Sequence, residues 1–122
     1  MFEGASPILR VTNMSASVQY YVEVLGFKNA EWGSDDFTSV NRDSAAIYLC
    51  RDGQGCAGTW AWVGVDDAQA LYEEYRASGA MIRHPPQNYP WALEIHVEDP
   101  DGHVLRFGSE PLHDKPFDEW RS

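Results

Sequence analysis

Glu94 and His96 stand two residues apart on one predicted strand, so alternation puts both side chains on the same face. With His103 they are the residues that a metal-dependent reaction would recruit, because divalent ions take nitrogen and oxygen donors converging from separate strands. His96 and His103 flank Asp99-Pro100-Asp101-Gly102 and could pair across that turn. Cys50 and Cys56, set around Asp52-Gly53-Gln54-Gly55, lack the spacing of a zinc knuckle and read as two reduced thiols. The heavier signal is aromatic. Five Trp, six Tyr and five Phe must be either buried or used. Trp91 follows a proline, a poor place for a core residue, and Phe37 follows Asp35-Asp36 at a strand entry. Trp62 lies midway along a predicted central strand and suits a core or a groove equally. Glu31, Asp35 and Asp36 suit a solvated turn, or an acidic lip beside the aromatics.

Positioning these groups falls to one domain of 122 residues with 43% hydrophobic and 23% charged residues, a folded rather than disordered composition. Nine basic against nineteen acidic residues give a net charge of −10, which repels a phosphate backbone and attracts small cations. Nucleic acid is therefore excluded as a partner. No apolar run is long enough to span a membrane, and Met-Phe-Glu-Gly-Ala-Ser-Pro has neither the basic nor the apolar region of a signal peptide. The expectation is a cytoplasmic protein.

Pro7 to Thr12 reads as a buried strand. Asn13 or Ser15 can cap a helix whose apolar face carries Val18, Tyr21, Val22 and Leu25, and Gly26 ends it. Three strands follow, Phe27 to Trp32, Phe37 to Asn41 and Ala45 to Arg51, before a glycine-rich loop from Asp52 to Gly58. The order then repeats. Thr59 to Val65 is a strand, and Asp67 caps a helix carrying Leu71, Tyr72 and Tyr75 that Gly79 closes. Ala80 to Arg83 is a short strand, His84 to Pro90 a loop, and Trp91 to Val97 and His103 to Phe107 a hairpin. The prediction is an α+β domain of two βαβββ modules with curved mixed sheets, about 1–57 and 58–110. An acidic tail follows, with Phe117 and Trp120 as docking anchors or simply a frayed end.

Val11-Thr12-Asn13, Tyr20-Tyr21, Leu25-Gly26-Phe27 and Asp99-Pro100-Asp101-Gly102, in this order, resemble the vicinal oxygen chelate superfamily of glyoxalases, extradiol dioxygenases and antibiotic-resistance proteins. Pro7-Ile8-Leu9, Asp35-Asp36-Phe37, Arg42-Asp43, Ala61-Trp62-Val63, Leu71-Tyr72 and Pro90-Trp91 with Glu94 are similar to its bleomycin-resistance branch. The superfamily's metal-ligand positions fall at Ser6, near Tyr48, near Trp60 and at Arg106, which make no metal site; no cofactor and no catalytic residue follow from the resemblance. It implies a homodimer that exchanges its N-terminal strands, with Pro7 on the exchanged strand. Its ligand residues would be Phe37 and Trp91 sandwiching conjugated rings, Trp62 and Trp32 beside them, and Glu31, Asp35 and Asp36 meeting positive charge. Cys50, also among the implied ligand-binding residues, stands where that family commonly has a small hydroxyl residue. The implied function is sequestration of bleomycin-type or similar aromatic, cationic antibiotics. The alternatives are a metal-dependent lyase, isomerase or dioxygenase recruiting Glu94, His96 and His103, or a binder of an unrelated small metabolite.

Overall fold

The computed structural model describes residues 1–118 and has an α+β fold with two mixed sheets. The chain divides into two compact units. The first comprises Met1–Thr59 with Asp99–His103, and the second Trp60–Glu98 with the chain from Val104 onward.

In the first unit, β1 (Ile8–Val11) pairs in parallel with β4 (Ala45–Arg51), which pairs antiparallel with β3 (Phe37–Arg42), which pairs with β2 (Lys28–Asn29). The sheet order is therefore β1-β4-β3-β2. Leu9, Val11, Val40, Ile47 and Leu49 are buried with Tyr21, Leu25 and Phe27. The Asn13 side chain accepts the Ala16 N–H and starts α1 (Met14–Gln19). A π-helical turn, Tyr20–Val24, continues it. The extra residue in that turn moves Val22 off the buried face, where helical periodicity predicts it; Met14, Ser17, Tyr21 and Leu25 face the core instead. The strand predicted from Phe27 to Trp32 contracts to two residues because Gly33 N–H turns back onto the Ala30 carbonyl.

Asp99–His103 locks this unit. Asp101 accepts from the Thr12 N–H, the Thr12 hydroxyl and the Ser17 hydroxyl, and Asp99 accepts from the Tyr21 hydroxyl at 2.9 Å. The buried His103 ring accepts the Thr59 N–H at Nδ1 and donates from Nε2 to the Arg10 carbonyl, which fixes its neutral Nε2–H tautomer. Both ring nitrogens of His103 are thereby engaged, where the sequence suggested that it could pair with His96.

The second unit repeats the plan. β5 (Trp60–Gly64) pairs in parallel with β9 (Val104–Ser109), then β8 (Leu93–Glu98) and β6 (Met81–Ile82) follow antiparallel. Asp67 caps α2 (Ala68–Ser78), and Gly79 ends it at φ 86. Leu71 and Tyr75 are buried, as are Leu93, Ile95, Val97, Leu105 and Phe107 of the sheet. The segment expected to be an unstructured loop contains β7 (Gln87–Asn88), paired with β8. Asn88 also secures the tail through Leu112, Pro116 and Asp118, so the chain there is held rather than frayed. Phe117 remains exposed, and Trp120 lies outside the described residues. Among the described residues no helix is long and apolar enough to cross a membrane.

Candidate ligand-binding surfaces

Strand alternation and register place Trp60, Trp62 and Gly64 of β5 on the same face as Arg106 and Gly108 of β9 and Glu94 and His96 of β8. Glu94 is fully buried there. Its Oε1 accepts from Arg106 Nε at 2.8 Å and His96 Nε2 at 3.0 Å. Its Oε2 accepts from Arg106 at 3.0 Å, Trp91 Nε1 at 2.7 Å and Trp62 Nε1 at 3.3 Å. Burial alone would raise the carboxyl's pKa, but the bonds from Arg106, His96, Trp91 and Trp62 outweigh it and hold Glu94 below its ordinary range. Burial lowers the pKa of His96 despite Glu94, and the His84 ring, its centroid 4.4 Å away, adds to the effect.

Both indoles on this carboxylate leave much of their surface to solvent, Trp62 at 55% and Trp91 at 50% exposure. Trp91 stacks on the buried Tyr89, with centroids 4.9 Å apart and planes within 8°. Trp62 lies over Gly64 and Gly108: a Cβ at Gly108 would come within 2.6 Å of its ring, and one at Gly64 within 3.1 Å. Neither glycine has a positive φ, so their role is to leave space for the indole. Trp62 is therefore not a core residue.

In the first unit the aromatics are held by one another. Phe37 stacks on Tyr48 at 5.4 Å and on Trp32 at 6.2 Å, with interplanar angles of 23° and 25°. Trp32 is the exposed member at 61%. Glu31, Asp35 and Asp36 are exposed nearby in sequence, and Asp36 accepts from Arg51 at 2.6 Å. Cys50, opposite Phe37 in the β3–β4 register, is only 8% exposed. Sequence reasoning missed Tyr48 and Tyr89 as ring supports and Glu94 as the acceptor joining two tryptophans. The period-two spacing of Trp60, Trp62 and Gly64 against Arg106 and Gly108 was the available signal for the last.

Among the described residues no three His, Cys, Asp or Glu side chains are grouped to hold a metal ion. In the Glu94 cluster the carboxylate is paired with the Arg106 guanidinium, Nε to Oε1 at 2.8 Å.

A family model described as Glyoxalase/Bleomycin resistance protein/Dioxygenase superfamily matches residues 5–107. Among solved structures, the chain is similar to the bleomycin-binding protein of bleomycin-producing Streptomyces verticillus complexed with copper(II)-bleomycin. That match has 28% identity and a TM-score of 0.79 over 89% of this chain and 97% of the other. A second bleomycin-binding protein, complexed with bleomycin, has a TM-score of 0.76 at 20% identity, over 89% of this chain and 99% of the other. TioX from Micromonospora sp. ML1 has a TM-score of 0.71 at 24% identity, over 88% of this chain and 99% of the other. The latter two show a shared fold. No curated protein matches the chain in sequence.

Proposed function

Because the chain belongs to the Glyoxalase/Bleomycin resistance protein/Dioxygenase superfamily, we propose that it binds bleomycin-type glycopeptides or similar flat, cationic antibiotics and sequesters them unaltered. The observation that carries this reading is the pair of exposed indoles, Trp62 and Trp91, tied by their N–H groups to one buried carboxylate that Arg106 already neutralises. Such a site offers aromatic faces and leaves Glu94 unavailable as a metal ligand. In the first unit Trp32 and Phe37 offer an aromatic surface of their own, with Glu31 and Asp35 exposed beside them in sequence to meet positive charge. Stacking of this kind contributes roughly 0.5–1.5 kcal/mol per ring pair beyond area burial. The 28% identical neighbour, solved with copper(II)-bleomycin, supports the choice of ligand.

The active form we propose is a cytoplasmic homodimer. The free thiols Cys50 and Cys56 suit that compartment, and the exposed Phe2 and Ile8 offer apolar surface to a second copy. In the single chain β1 pairs with its own β4, so exchange of the N-terminal strand would replace that pairing. Sedimentation of the purified chain tests the assembly. Titration calorimetry with metal-free and copper-loaded bleomycin tests the function: saturable heat is expected, and none at high micromolar ligand with folded protein would refute the proposal.

A further inference from the structure

Resting on that reading, we infer that Glu94 is a positioning residue, a shared anchor that fixes the orientation of both Trp62 and Trp91. Each indole has one N–H, and both end on the same oxygen, Oε2, at 3.3 and 2.7 Å. A ring pivoting about its side-chain bonds would have to break that bond against a buried anion, where hydrogen bonds to charge are among the strongest. Oε2 is itself immobile, because Arg106 grips both carboxylate oxygens and His96 holds the other one. Each ring also rests on a floor, Tyr89 for Trp91 and the Gly64–Gly108 pair for Trp62. The floor sets the height of the ring plane, and the N–H bond sets its rotation within that plane. Binding surface so fixed loses little rotamer freedom when a ligand arrives.

Glutamine cannot substitute. Its amide keeps one acceptor oxygen and replaces the other with an NH2, which would face donors from Arg106 or the indoles. The test begins on the wild-type protein, with hydrogen exchange of the indole N–H groups followed by nuclear magnetic resonance. The Trp62 and Trp91 signals should exchange at least about tenfold more slowly than those of the exposed Trp32 and Trp60, since opening must break a charge-assisted bond. Equal rates would overturn the inference without any variant having to fold.

In Glu94→Gln the slow exchange should be lost, and bleomycin affinity should fall about tenfold, equivalent to one strong interaction. In a Trp62→Phe/Trp91→Phe background, which keeps rings but removes both N–H groups, adding Glu94→Gln should weaken binding less than about twofold further. An equal loss in both backgrounds would make Glu94 a structural residue only. If the wild-type chain fails to bind bleomycin, the functional reading falls, and the exchange rates alone then decide the role of Glu94.

Discussion

The two units share one plan and differ in how they hold their aromatics. In each, an edge strand pairs in parallel with the last strand of its sheet, a helix follows under an Asn13 or Asp67 cap, and a fully buried tyrosine, Tyr21 or Tyr75, anchors that helix. In the first unit Trp32, Phe37 and Tyr48 are held by ring-on-ring packing beside solvated acids. In the second, Trp62 and Trp91 are held by hydrogen bonds to the buried Glu94, whose partner Arg106 is partly exposed, and Trp91 also stacks on Tyr89. Ring packing tolerates change, because stacking is broad in geometry and weak per contact. A buried carboxylate does not, because removing its cation strands a charge away from water.

The largest expected effect follows from that contrast. Arg106→Met should cost about 3–5 kcal/mol of stability in urea unfolding, because it leaves Glu94 buried and unpaired. A loss under about 1 kcal/mol would place the pair with ordinary surface salt bridges. Gly108→Ala comes next. Its Cβ would intrude on Trp62, for a cost of roughly 1–3 kcal/mol typical of overpacking, and the indole should shift its fluorescence as it lifts. Gly64→Ala, with more room, should do less.

Acid separates the units by sign. Glu94, held below its ordinary value of 4.5, contributes stability that is complete above that value and lost as pH falls through the lower native one. His96 is lowered from 6.5, so the unfolded chain takes up its proton first and stability declines as pH falls through that value. Asp99 in the first unit has the opposite sign. Burial outweighs the bonds from Tyr21 and the backbone and raises it from 3.8, so its protonation on acidification relieves a cost. The urea midpoint should therefore fall between pH 7 and pH 5, and His96→Gln should flatten that limb. An unchanged slope would remove His96 from the account. Smallest of all, Arg51→Met, which breaks the exposed pair with Asp36, should change stability by less than about 1 kcal/mol.

Much of the frame was legible because local chemistry dictated it. Asn13 and Asp67 cap helices by an acceptor that any aqueous chain would use, and Ala45–Arg51 is a strand at the predicted limits. The π-helical turn at Tyr20–Val24 was not legible, since no residue there signals the insertion and packing of Tyr21 and Leu25 decides it. Likewise β7 depends on pairing with β8, which a segment containing three prolines conceals. Glu94 and His96 were recognised as sharing a face. Their work with Trp62, Trp91 and Arg106 depends on strand register, which pairs residues far apart in the chain.

Whether exposed indoles bind the ligand is tested most directly by bleomycin titration of Trp91→Ala beside wild type. Melting transitions of both proteins should be recorded in parallel. Wild type should bind, and Trp91→Ala should bind more weakly by roughly 1–3 kcal/mol, the range of an interfacial hot spot, while still melting cooperatively. Unchanged affinity in a folded Trp91→Ala variant would contradict the claim.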